Sequence, residues 1–496
     1  MAFHDEIVRF VSQALGAACT IGVDVGTTSV KAVAVDADGT VVARTRVAHS
    51  VGTPSADLLE HDVARAWRRG PRRAFAEVSA ALDGPAAGVV VTSMVPSITA
   101  VDGRGTPLLP GLLYGDSRAA DQPDPDTTGE AGTGEAGLGG AERYQGRRML
   151  SWAISERPDA KAYWNCQATA THALTGVAAV DQATATSFGG LYEAGEWDKR
   201  ALHDLGVDEA QLPVVGAMGQ GLGTVPGSPT VFAGGSIDAF CEQIVAGANR
   251  PGDVLVIFGA TLIIWVIAEE WKDVPGLTTL PNIAAGQVMI GGPSNAGALF
   301  ADWAQTITGG PARRKTAPYH PDTPETPRSG SPSQIPVWLP YLRGERTPFH
   351  DPTLRSSLHG LDIAQEPDAV LRAAHEASGF VIRRIIGLAG FGTRRIVATG
   401  GGSRSVPWMQ AVADSTGLPV DTVAVSEGAA LGAAFLARMA AGLETAFDAA
   451  DAWSKVGRRI EPDPAWTAAA AGRFEQFEAL SPLAGGQGEA GAGRPQ

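Results

Sequence analysis

Residues 20–36, TIGVDVGTTSVKAVAVD, constrain the fold more than any other stretch, because they read as two β-strands joined by a turn too short to leave the sheet. Val23, Val25, Val30, Val33 and Val35 supply the β-branched positions, and Asp24, Gly26, Thr27, Thr28, Ser29 and Lys31 cluster at the turn. Gly26 removes the side chain that would block an approaching ligand, so backbone N–H groups and three hydroxyls can surround phosphate oxygens. Asp24 suits a hydrated Mg²⁺, and Lys31 adds positive charge. The Walker pattern is absent: the glycine sits in a hairpin and not at a helix start. An ordinary Gly-Thr-Thr-Ser hairpin would use the same residues.

A second copy of this layout starts at Asp253. DVLVIFGATLIIWVIA again gives apolar strand, Gly-x-Thr turn and apolar strand, which predicts an internal duplication. At 496 residues the chain is too long for one core and requires at least two domains. The formal net charge of −14 argues against nucleic-acid or membrane partners. The three cysteines, Cys19, Cys166 and Cys241, have no CxxC spacing, so neither a disulfide frame nor a zinc site is expected and a cytoplasmic location fits. No run of 18 apolar residues predicts a membrane span. Residues 1–18 have the pattern of a short amphipathic helix.

Further along, residues 41–47 predict a third meander strand, 60–82 a helix containing Trp67, and 88–92 a buried strand. That strand ends at Ser93-Met94-Val95-Pro96-Ser97, where the chain leaves a sheet edge of the kind ligands use. Residues 111–118, GLLYGDSR, carry Asp116 and Arg118, a pair that could equally be a local ion pair. Residues 121–141 read as a solvated loop, 147–174 as helical, and 309–334 as a surface excursion. Asp238 follows a predicted strand and Gly234-Gly235, so a substrate hydroxyl could reach it; capping the next helix would explain the same residue. Gly400-Gly401-Gly402-Ser403 joins a strand to a helix, as bare backbone for a nucleotide or as a tight turn. Residues 427–441, EGAALGAAFLARMAA, predict a helix packed very closely on a sheet.

Taken in order, these segments resemble the FGGY carbohydrate kinases over roughly residues 20–442. DVGTTSVK (24–31) resembles the first phosphate motif, LLYGDSR (112–118) the W-x-D-x-R segment with Tyr114 for tryptophan, and AGGSID (233–238) the segment carrying the catalytic aspartate. FGAT (258–261) is similar to the second phosphate motif, YLRGERTPFHD (341–351) to a stretch of xylulokinase-like members, and GGGSRSVPW (400–408) to the adenosine motif. The resemblance implies an α/β, duplicated ribonuclease H-like fold of the actin and Hsp70 type, with ATP and sugar meeting in a central cleft. It divides the chain into an N-terminal extension (1–19), an N-terminal sugar-binding lobe (20–248), a C-terminal nucleotide-binding lobe (249–480) and a tail (481–496).

The same resemblance implies ATP and Mg²⁺ as cofactors and a small sugar or polyol as substrate, a ketopentose such as xylulose or ribulose first. It makes Asp238 the general base, with Asp24 and Asp238 at the metal. Gly26, Thr27, Thr28, Lys31, Gly259, Thr261, Gly401, Gly402 and Ser403 would hold the nucleotide, and Met94, Val95, Asp116, Arg118 and Asp238 the sugar. A homodimer is compatible with it. Val95 and Pro96 depart from the family by standing where glycerol kinases carry Arg-Glu and xylulokinases Met-His, and Ala239 replaces the usual Asn or Gln. These losses leave a second expectation open: a sensor that binds nucleotide or sugar without efficient transfer.

Overall fold

The computed structural model describes residues 19–55, 58–122, 144–281, 287–309, 331–425 and 427–482. The amphipathic pattern of 1–18 and nearly all of the 121–141 and 309–334 stretches therefore lie outside the described residues. The chain forms two compact units. One runs to Gly247 and takes in Glu427–Ser454; the other holds Ala248–Ser426 and the chain from Lys455 onward.

In the first unit β1 (Thr20–Val25) and β2 (Ser29–Val35) pair antiparallel, with Asp24 opposite Lys31. β2 continues to β3 (Val41–Ala48), whose alternating exposure marks the sheet edge. β4 is the short Glu60–His61 strand, and β5 (Gly88–Ser93) runs parallel to β1 on its other side. Val231–Ala233 lies parallel to β5, and Gly221–Thr224 closes the sheet antiparallel. β1 and β5 are buried along their whole length, with the polar residues Asp24, Thr92 and Ser93 at their carboxyl ends.

The second unit repeats this order. Asp253–Phe258 and Leu262–Ala268 form the hairpin, Val288–Ser294 extends it antiparallel, and Arg395–Thr399 and Val420–Val423 lie parallel on the other side. Val456–Ile460 closes the run antiparallel, as Gly221–Thr224 does in the first unit. The expected duplication is thus a repeated strand order and not just a repeated turn.

Three elements differ from the sequence reading. Residues 60–82 open as β4, pass through a wide helical turn at Ala64–Arg69, and become an α-helix only at Gly70–Ser79. Residues 147–174 are two helices, Gln145–Glu156 and Cys166–Thr175, because Pro158 breaks the pattern and Ala162–Trp164 pairs with Thr99–Val101 as a strand. The helix Gly428–Ala440 packs in the first unit, where the sequence had kept 249–480 together. Glycine makes that return possible: a Cβ at Gly22 would sit 1.8 Å from the Ala430 carbonyl oxygen, and one at Gly88 2.4 Å from that of Ala437.

Candidate active site

In the first unit, strand register assembles the carboxylates. Thr92 of β5 lies opposite Asp24 of β1 on one side and Ser236 on the other, and Ser93 lies opposite Val25 and Ile237. All three strands run the same way, so Asp24, the Met94-Val95 exit and Asp238 emerge at one end of the sheet. This is the carboxyl end, where open α/β sheets bind ligands. Gln167 fastens that end: its Nε2 donates to the carbonyls of Ser93 (2.8 Å) and Ser236 (3.3 Å). Nothing in the sequence pattern singled out Gln167.

Asp238 is the first residue of the helix Asp238–Ala246. The neighbouring Ala239 N–H donates to its Oδ1 at 2.7 Å, and it has no ion pair among the described residues. It is half-buried, so a small molecule can still reach it. Burial pushes its carboxyl up to about 7, with the charges of Asp24 and Glu242 adding and Lys31 opposing. Glu242 was missed by the sequence reading, although its i, i+4 spacing from Asp238 marks the same helix face.

Asp24 is buried, and its Oδ2 lies 3.2 Å from Lys31 Nζ. The Asp24 charge holds the Lys31 ammonium above its usual range against the opposing effect of burial, and Glu242 and Glu427 contribute as well. Lys31 is therefore a fixed cation beside the turn. Thr28 is the exposed residue of that turn, Gly26 and Thr27 are half-buried, and Gly26 N–H closes the turn onto the Ser29 carbonyl at 3.1 Å.

Asp116 and Arg118 form a closed set. Asp116 accepts from Leu59 N–H (2.7 Å) and from Arg118 N–H (2.9 Å), while Arg118 Nη2 binds Asp116 (2.6 Å) and Nη1 binds Glu60 (2.7 Å). Burial works to raise the Asp116 carboxyl, but these donors outweigh it and hold it below the usual range. The pair is thus internally satisfied, as the local-ion-pair reading allowed, and Glu60 is a third member that the sequence reading did not include.

In the second unit, Ile257 lies opposite Thr399, so the turns carrying Gly259-Ala260-Thr261 and Gly400-Gly401-Gly402 leave the sheet at one end. Ala298 N–H donates to the Gly259 carbonyl at 2.8 Å, which seats the first turn on the helix Ala298–Ile307. Of the three glycines only Gly401 is exposed. Gly402 is buried, where a Cβ would come within 2.7 Å of the Trp408 ring and 2.8 Å of Phe258, so core packing already requires it. Ser403 is buried too, its hydroxyl donating to the Gly400 carbonyl at 2.8 Å.

The carboxylates suit a hard cation held by oxygen. Among the described residues no group of three or more His, Cys, Asp or Glu side chains could hold a metal by itself. Mg²⁺ is commonly bound through one or two carboxylates, with phosphate oxygens and water completing its shell.

The chain is similar to known proteins along most of its length. The model of the FGGY carbohydrate kinase N-terminal domain matches residues 19–234, and that of the C-terminal domain matches residues 256–441. The chain is 25% identical over 479 residues to the gluconokinase of Bacillus subtilis, covering 86% of this chain and 89% of that one. It is 25% identical over 471 residues to the xylulose kinase of Escherichia coli, covering 86% and 90%. The solved xylulose kinase of Lactobacillus acidophilus superposes with a TM-score of 0.77 at 20% identity, over 95% of this chain and 99% of that one, which is a likeness of fold.

Proposed function

The chain belongs to the FGGY family of carbohydrate kinases and is a sugar kinase with the two-domain actin and Hsp70-like fold, and from that premise we propose that it transfers the γ-phosphate of ATP to a hydroxyl of a small neutral sugar or polyol, a ketopentose such as xylulose or ribulose first. The carrying observation is the register along β5, which brings the Asp238 carboxylate to the same sheet end as Asp24 and Lys31 and leaves it without a cation of its own.

In this reading Asp238 is the general base. Its oxygen takes the proton of the sugar hydroxyl as that hydroxyl oxygen bonds to the γ-phosphorus and the bond to the β-phosphate oxygen breaks, leaving ADP. A carboxyl displaced towards 7 is a stronger base than an ordinary one and is still ionised in a useful fraction near neutrality. Lys31 offsets negative charge on the phosphates, and Gly26, Thr27 and Thr28 offer hydrogen bonds to their oxygens. Within the second unit, Gly259, Thr261, Gly401, Gly402 and Ser403 would offer nucleotide contacts, Gly402 through its backbone. Asp24 and Asp238 would hold Mg²⁺, which, when bound, neutralises charge developing on the phosphates.

Met94, Val95, Asp116 and Arg118 would line the sugar. The guanidinium of Arg118 is already shared between Asp116 and Glu60, so it offers no spare positive charge. That favours a neutral acceptor over an aldonate, the class of substrate named by the gluconokinase relative. The carboxylates at positions 24 and 238 favour turnover over a binding-only sensor. A screen of pentuloses, polyols and gluconate for acceptor-dependent ADP formation tests the reading. Turnover with a ketopentose well above that with gluconate supports it; turnover with gluconate alone refutes the acceptor class, and no turnover with any acceptor refutes the kinase assignment of these residues.

A further inference from the structure

The carbonyls of the first turn are held from behind by two histidines. His61 Nε2 lies 2.8 Å from the Thr27 carbonyl oxygen, and His49 Nε2 lies 3.0 Å from that of Gly26. The backbone N–H of His49 donates to the third carbonyl, Thr28, at 3.1 Å. The two rings meet edge to face at 4.7 Å.

The tautomer of His61 is fixed by a neighbour. Trp67 Nε1 donates to His61 Nδ1 at 2.9 Å, and an indole N–H can only donate. Nδ1 is therefore the acceptor, and the ring's own proton sits on Nε2, facing the Thr27 carbonyl. His61 and Trp67 are both wholly buried, and burial pushes the imidazole down to about 4, so it stays neutral across the physiological range. His49 Nε2 faces the Gly26 carbonyl, which can only accept, so its proton too sits on Nε2, and its Nδ1 has no hydrogen-bond partner among the described residues.

A trans peptide points its N–H away from its carbonyl. Fixing the Gly26 and Thr27 carbonyls toward the histidines therefore turns the N–H groups of Thr27 and Thr28 to the opposite face. Neither N–H donates to another backbone group among the described residues. Two adjacent N–H groups aimed outward beside Lys31 make an anion-binding concavity.

We propose that His61, locked by Trp67, and His49 are positioning residues that set the first turn so that the N–H groups of Thr27 and Thr28 are preorganised for the nucleotide's terminal phosphates. The proposal rests on the phosphate-binding reading of this turn. Neither histidine touches substrate: each acts through a backbone carbonyl. A preorganised donor needs no rearrangement when charge arrives, so the effect falls on the nucleotide and not on the sugar.

Steady-state kinetics with MgATP and sugar varied separately test it, with thermal melting alongside. His61→Phe replaces the donor with a carbon edge against a buried carbonyl, and the expected result is a rise of about tenfold or more in the KM for MgATP with the sugar KM within about twofold. His61→Gln can still offer an N–H to Thr27 and an acceptor to Trp67, and should recover most of the loss. Trp67→Phe deletes only the indole donor among these contacts and should move the MgATP KM in the same direction by about threefold, which keeps the test decisive if His61→Phe does not accumulate. Equal changes in both KM values, no recovery in His61→Gln, or an unchanged MgATP KM in Trp67→Phe would overturn the proposal. Lys31→Met separates the two levels. If it leaves MgATP kinetics untouched, the phosphate reading of the turn fails; if it impairs them while the His61 variants do not, only the role of the histidines fails.

Discussion

Replacing Asp238 with Asn removes a charge while keeping the side chain's size, so stability and activity should move in opposite directions. The carboxyl titrates near 7 in the folded chain against a reference of 3.8, because burial and the Asp24 charge disfavour ionisation. The native state therefore binds more protons than the unfolded chain between those values, and the parent protein loses stability as pH rises from about 4 to about 7. The full difference corresponds to about 4 kcal/mol; because the side chain is partly open to water, screening lowers the expected figure to about 2 kcal/mol. Asp238→Asn should thus melt higher than the parent at pH 8, by the equivalent of about 2 kcal/mol, and match it near pH 4. The melts are to be run without nucleotide or Mg²⁺, since the cation would favour the ionised form and bound nucleotide would stabilise the fold by mass action. In the same preparation sugar-dependent ADP release should fall about 10²- to 10⁴-fold, the usual worth of a positioned general base. A variant that retains activity within tenfold of the parent, or a stability gain equal at both pH values, would refute the reasoning.

Other outcomes follow from neighbouring geometry. Because the base must be ionised, kcat/KM for the sugar should fall on the acid side of a midpoint near pH 7, and a flat profile from pH 5 to 8 would contradict that. Gly22→Ala places a methyl against the Ala430 carbonyl, and chemical denaturation should show a loss of about 3 kcal/mol or failure to accumulate; an unchanged midpoint would mean that the helix can move aside. Asp253 is fully buried between Arg394 (2.7 Å) and Arg395 (2.8 Å), so Asp253→Asn should cost about 3 kcal/mol in the same assay, and a loss below about 0.5 kcal/mol would place the pair in the surface class.

Much of the architecture was legible because its signals are local. Apolar, β-branched-rich runs on either side of Gly26 and again of Gly259 specify a strand, a turn and a strand whatever surrounds them, and their repetition was enough to predict the duplication. The reading of 147–174 as helical failed because Tyr163 and Trp164 suit a helix face and a strand equally; pairing with Thr99 and Ala100 decided it. The Gly400–Gly402 run was visible, but not that the Phe258 and Trp408 side chains already require Gly402.

The sequence by itself determined which residue types stand at each strand end: a carboxylate at 24, another at 238, a lysine across the hairpin at 31. Only the tertiary structure decided their company. Asp24 and Asp238 lie more than two hundred residues apart, and register along β5 brings them to one sheet end. The return of Gly428–Ala440 to the first unit, and the seating of His61 behind the turn at Thr27, depend likewise on close contacts between distant segments. Backbone propensity acts over a few residues, whereas register and steric fit act across the whole fold, so pattern alone could name the groups but not their neighbours.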